Sequence, residues 1–185
     1  MTTPAKTPPG ADPKDLERTG TVREEGSQAV WSLSFCKPGF GVDQGRDDNL
    51  ETYWHSDGSQ PHLVIIQFRR KTTVLTLCIY ADYKMDESYT PSKINVRVGN
   101  NFHNQQEIRQ LELVRPSGWI HVPLSDNHKK PTRTTMIQIA VLANVQNGRD
   151  THMRWIKIYT PVEEYSIGKF PRCTAIDFMM YRSID

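Results

Sequence analysis

The residues able to do chemistry are six histidines, three cysteines and a group of turn acids. His55, His62, His103, His121, His128 and His152 contain neither H-E-x-x-H nor any i, i+4 helical pair, so a catalytic zinc site is not expected. Cys36, Cys78 and Cys173 are odd in number, far apart and never in C-x-x-C, which reads as buried free thiols rather than a disulfide framework or zinc cage. Asp43, Asp47, Asp48 and Asp57 lie near carbonyl-rich turns, the oxygen chemistry calcium prefers; the competing reading is that they cap turns. No G-x-S-x-G, G-x-x-x-x-G-K or G-x-G-x-x-G occurs. Carboxylates in Arg46-Asp47-Asp48-Asn49 and Asp57-Gly58-Ser59 offer an acid and a base for sugar cleavage, a hydrolase reading that ranks last. No metal, cofactor or catalytic residue is expected.

Binding is the better inference. Three loops are too rich in directional groups to be plain connectors: 48–58, 82–92 and 144–152. In the third, Arg149 and His152 beside Asn147 and Asp150 can make charge-assisted or bidentate hydrogen bonds to an extended peptide. The alternative is that Asn147-Gly148 supplies positive φ for a turn, that Asp82 and Asp86 solvate a hairpin, and that Tyr53 and Trp54 pack.

The elements that must carry these loops are short runs rich in Val, Ile, Leu, Tyr and Thr, broken by Gly, Pro, Asn and Asp. Strands are expected at 62–68, 74–80, 93–98, 108–114, 119–122, 136–142, 155–159 and 175–181, the first two joined by the basic connector Arg69-Arg70-Lys71. One helix is expected at Lys14 to Arg18, behind Asp12-Pro13 and ahead of Gly20. The fold class is all-β, a jelly-roll sandwich with a short N-terminal helix and flexible tails.

The chain has 185 residues, enough for one core, with 37% hydrophobic and 24% charged residues. Twenty-three Lys and Arg against 21 Asp and Glu give a net charge of +2, with no long basic run, so neither nucleic acid nor membrane is an expected partner. The start lacks the apolar run of a secretory signal, and no Asn-x-Ser/Thr sequon occurs, which points to an intracellular protein.

Four ordered motifs then carry a resemblance over nearly the whole chain. Asp48 to Trp54, Ser56 to His62, Ala81 to Lys84 with Asp86 to Pro91, and Gln146 to Arg154 closely resemble the DOC domain of the anaphase-promoting complex. The resemblance implies a galactose-binding-domain-like jelly roll over 12–162, with a disordered tail at 1–11 and a C-terminal strand and docking tail at 163–185. It implies a non-catalytic ubiquitin-ligase subunit of nucleus and cytoplasm, in which DOC loops beside a WD40 co-activator hold the destruction-box degron of substrates and make ubiquitin transfer processive. Carried over residue by residue, the peptide-facing candidates are Ser88, Tyr89, Asn147, Arg149, Asp150 and His152, with Asp57 as a neighbour. Other implied partners are a cullin-like subunit and a tetratricopeptide-repeat subunit that accepts a C-terminal Ile-Arg.

Several positions depart from the family pattern. Ile184 keeps the apolar anchor of the docking tail, but Asp185 replaces a cation with an anion, which predicts weakened docking. Glu25, Gly45, Val145 and Trp155 depart as well, and all five positions end in five, a spacing no structural period produces. Val145 touches the recognition loop, and Trp155 is expected to overpack if its side chain points inward. Without the resemblance, the rival reading is a stand-alone lectin-like or calcium-assisted ligand binder on the same sandwich.

Overall fold

The computed structural model describes residues 12–162 except 19, 27–28, 44, 47–48, 50 and 126–129. The strand expected at 175–181, the tails 1–11 and 163–185, and Asp47, Asp48, His128, Cys173, Ile184 and Asp185 lie outside the described residues.

Lys14–Arg18 form α1, started by Asp12, whose carboxylate accepts the Lys14 N–H at 2.9 Å. Gly20, at φ +75°, ends it by donating to the Glu17 carbonyl at 3.1 Å. The strands are β1 (Val22–Glu24), β2 (Ala29–Leu33), β3 (Trp54–His55), β4 (His62–Val74), β5 (Thr76–Asp82), β6 (Pro91–Asn101), β7 (Asn104–Glu112), β8 (Ser117–Pro123), β9 (Thr132–Asn144), β10 (His152–Met153) and β11 (Trp155–Pro161). A second short helix, α2 (Tyr83–Asp86), runs into a 3-10 turn at Glu87–Tyr89, and another 3-10 turn spans Val145–Asn147.

A five-stranded sheet, β2-β4-β9-β6-β7, faces a four-stranded sheet, β1-β11-β5-β8, and β3-β10 form a small ladder beside them, all antiparallel. This is the expected jelly-roll sandwich. Alternation sends Val64, Ile66, Ile94, Val96, Ile137 and Ile139 of one sheet against Leu77, Ile79, Val122, Ile156 and Ile158 of the other. Each such side chain contributes about 1.5 to 3 kcal/mol of burial, so the interlayer core sets the stiffness of the scaffold.

The structure corrects three expectations and decides the direction of Trp155. Arg69-Arg70-Lys71 is not a turn: β4 continues through it with a bulge between Gln67 and Thr72, and the chain crosses to the other sheet at Leu75, whose N–H bonds the Tyr159 carbonyl at 2.9 Å. The segment expected as a loop at 82–92 is helical from Tyr83 to Tyr89, between the end of β5 at Asp82 and the start of β6 at Pro91. Cys36 is exposed; Cys78 is buried, its thiol pushed up to about 12 by burial against a smaller lowering from Lys157. Trp155 does not overpack the interlayer core, because it points to the outer face of the four-stranded sheet with Cys78, Trp119 and Tyr159. There α1 covers it: Lys14 lies 5.5 Å from the Trp155 ring, Tyr159 donates its hydroxyl to Glu17 at 3.0 Å, and Lys157 sits 3.9 Å from the same carboxylate.

Candidate functional site

The site is built where β3 and β10 pair with His152 opposite His55 and Met153 opposite Trp54. The period of two buries Trp54 and Met153 in the core and turns both imidazoles to the other face. Above them α2 begins at Asp82, whose carboxylate accepts the Lys84 N–H at 2.9 Å. That turn carries Asp86 inward to 2% exposure. Asp86 is therefore not a solvated hairpin residue. It accepts a bidentate fork from Arg154, Nε to Oδ2 at 2.9 Å and Nη2 to Oδ1 at 2.7 Å, and a third bond from His152 Nδ1 at 3.1 Å. Burial alone would raise the Asp86 carboxyl, but these bonds and the guanidinium charge hold it below the usual carboxylate range.

The hydrogen-bond chain assigns the histidine protons. A carboxylate only accepts, so His152 donates from Nδ1; in the neutral ring Nε2 then accepts from His55 Nδ1 at 2.9 Å. His55 Nε2 is left facing Asp150 Oδ2 at 3.9 Å, and among the described residues neither His55 Nε2 nor Asp150 Oδ1 has a hydrogen-bond partner. Burial, then His152 and Lys37, lower the His55 pKa against the opposing pull of Asp150 and Asp57.

Aromatic rings complete the frame. Tyr89 stacks on one face of His152 with centroids 4.2 Å apart and Tyr53 on the other at 4.2 Å; Phe40 stacks on Tyr53 at 5.3 Å, and the Arg154 guanidinium lies 4.9 Å from the Tyr53 ring.

The 144–151 loop is tied to this frame and to itself at several points. Val145 donates to the Thr90 carbonyl at 2.9 Å, and Asn144 donates to the carbonyls of Gly148 at 3.1 Å and Asp150 at 2.8 Å. His62 Nε2 bonds the Arg149 carbonyl at 2.6 Å, and the Thr151 N–H bonds Ser56 Oγ at 2.7 Å. Gln146 and Asn147 take the positive φ values, 56° and 57°; Gly148 does not. Gly148 is required for closeness instead, since a Cβ there would stand 2.0 Å from the Ser88 carbonyl oxygen.

Ser88, Tyr89, Asn147, Arg149, Asp150 and His152 thus come together at one end of the sandwich, with Asp57 at its border, exposed and bonding the Gly58 N–H through its own carboxylate at 2.9 Å. They are unequally available. Tyr89, Asn147 and Arg149 are exposed, Ser88 is half-buried, and Asp150 and His152 are largely covered. Among the described residues no three His, Cys, Asp or Glu side chains converge as a metal cage. Tyr53, His55, Asp86, Asn144 and Arg154 belong to the same site without standing out by motif spacing. The available signal is alternation around a core residue, Tyr53-Trp54-His55 and His152-Met153-Arg154, which places the flanking side chains on one face.

The architecture defines a class, the galactose-binding-like jelly roll. The family 32 carbohydrate-binding module of C. perfringens NanJ, solved in complex with galactose, superposes with a TM-score of 0.62 over 75% of this chain and 98% of that one, at 13% identity. That likeness shows the fold alone. Residues 4–183 match the family described as anaphase-promoting complex, subunit 10 (APC10), and the chain belongs to it. It is 90% identical over 184 residues to the Homo sapiens anaphase-promoting complex subunit 10, covering 100% of both chains. The Drosophila melanogaster protein of that name is 52% identical over 184 residues, covering 97% of this chain and 94% of its own.

Proposed function

We propose that the chain is a non-catalytic subunit of the anaphase-promoting complex, a cell-cycle ubiquitin ligase, and that the end bearing Ser88, Tyr89, Asn147, Arg149 and Asp150 holds the destruction-box degron together with a WD40 co-activator. The observation that carries this reading is the contrast within the site. Asn147, Arg149 and Tyr89 are exposed, while Asp86, Arg154 and His152 behind them are buried and mutually bonded. A peptide would meet prepaid geometry rather than mobile side chains. Asn147 satisfies its main chain, Tyr89 offers an aromatic wall, and Arg149 steers its charged groups. Asp150 acts through Arg149, whose Nε lies 3.8 Å away, and through His55.

Two weak receptors sharing one peptide gain by effective concentration, lengthening residence and so processivity. Tetratricopeptide-repeat and cullin-like subunits complete the proposed set of partners, with the tail at Ile184 and Asp185 meeting the former, and the proposed location is nucleus and cytoplasm. The test is the complex assembled with the Asn147→Ala, Arg149→Ala, Asp150→Ala chain. Degron cross-linking is expected to fall about fivefold or more, with shorter ubiquitin chains. Unchanged values would reject the assignment, and glycan binding indifferent to degron would favour the lectin-like rival.

A further inference from the structure

At the other end of β4 from the recognition loop, the bulge makes a second, basic surface. His62 reaches the Arg149 carbonyl; Arg69 lies seven residues on, about 23 Å away at strand rise. Gln67 pairs with Met136 and Thr72 with Thr134, so Phe68, Arg69, Arg70 and Lys71 stand opposite the single Thr135. The ladder breaks, yet the segment is anchored on both sides: Phe68 is buried opposite Ala29 of β2, and the Thr72 hydroxyl donates to the Arg70 carbonyl at 3.0 Å. Such a bulge re-aims side chains rather than merely interrupting a strand.

The re-aimed side chains border a cleft of about 530 Å³ between β1 and β4, lined by Arg23, Phe68, Arg69, Arg70 and Thr72 with Glu24 and Glu25. Its carboxylates are already engaged. Glu25 meets Arg23 at 3.1 Å, while Glu24 accepts the Gly26 N–H at 2.8 Å and faces Arg46 at 3.6 Å. Arg69, Arg70 and Lys71 are exposed, and among the described residues no carboxylate pairs with them. Three adjacent cations on an anchored bulge, beside a cleft with room for a few side chains, form a surface short of anions.

We propose that this bulge and cleft dock an acidic segment of another protein, with Asp or Glu carboxylates seated on the guanidinium forks of Arg69 and Arg70. A carboxylate side chain enters between the cations one at a time. Nucleic acid needs an extended basic track, whereas Arg69, Arg70 and Lys71 are confined to one bulge. The surface is separate from the degron end, so either reading stands without the other.

The test uses the full chain and a labelled poly-glutamate peptide, with binding read by fluorescence anisotropy at low and physiological salt. The unaltered chain is expected to bind and to weaken about tenfold across that salt range. Arg69→Glu with Arg70→Glu is expected to lose at least about tenfold, and Arg69→Lys with Arg70→Lys to fall between, because charge is kept and the fork is lost. Asn147→Ala should bind poly-glutamate like the unaltered chain, and the charge-reversed chain should retain degron cross-linking and its unfolding midpoint. Equal binding by the charge-reversed chain, or an oligonucleotide bound more tightly than poly-glutamate through the same arginines, would overturn the proposal.

Discussion

The imidazole of His152 lies flat on the phenol ring of Tyr89, centroids 4.2 Å apart and planes within 3° of parallel. His152 is itself pinned by Asp86, which is pinned in turn by Arg154, so the exposed Tyr89 inherits its position from a buried ion pair.

That dependence makes Asp86 the most sensitive position of the site. Asp86→Ala removes the carboxylate that holds the buried Arg154 guanidinium in a bidentate fork, and we expect a loss of about 3 to 5 kcal/mol in denaturant unfolding. An Asp86→Ala chain within about 1 kcal/mol of the unaltered one would mean that Arg154 finds another anion.

Gly148 tests the packing of the recognition loop. A methyl group at this position would meet the Ser88 carbonyl at 2.0 Å, and that atom is backbone, so the 145–148 turn must move. Gly148→Ala should cost about 1 to 3 kcal/mol and weaken degron cross-linking, although the residue's φ of −58° suits alanine.

Stability should depend on pH in two stages. The lowered pKa of His55 means the folded state prefers its neutral ring, so this stability is present above the unfolded value of about 6.5 and falls as pH drops through it. Asp86 has the carboxylate sign: its lowered pKa gives stability present above the unfolded value of about 3.9 and lost as pH falls below it. His55→Asn, whose amide can still donate to His152, should flatten the upper stage between about pH 7 and 5 and leave the lower one in place. Equal upper slopes for both chains in a pH series of urea titrations would contradict this.

Trp155 belongs to the α1 face and not to the recognition end. Trp155→Ala removes the ring under Lys14 and against Trp119 and should cost about 3 kcal/mol of stability. Degron cross-linking by the folded fraction should be unchanged.

Most of the sandwich is legible in the sequence because its strands are buried on one face and keep the period of two, as in Lys93 to Val98. Legibility fails where that premise fails. β11 is legible as a strand at 155–159, but the direction of Trp155 is not, because α1 covers Trp155, Lys157 and Tyr159 from outside and both faces are buried. The β4 bulge mimics a turn because Arg69-Arg70-Lys71 is polar and exposed, although the flanking residues stay in register with β9. Within the site, Asn147 and Arg149 stand out as exposed polar residues in a dense loop. Asp86 does not, since its partners lie 66 and 68 residues away and local patterning sees only a polar turn. The Gly148 requirement is likewise non-local: the atom that excludes a side chain belongs to Ser88.

The most direct measurement is a map of photo-cross-links from a destruction-box peptide bound to the assembled complex with its WD40 co-activator. Adducts on this chain confined to 88–89 and 147–150 are the predicted result. Adducts that avoid those residues, or that persist unchanged when Tyr89 and Asn147 are both replaced by Ala, would contradict it.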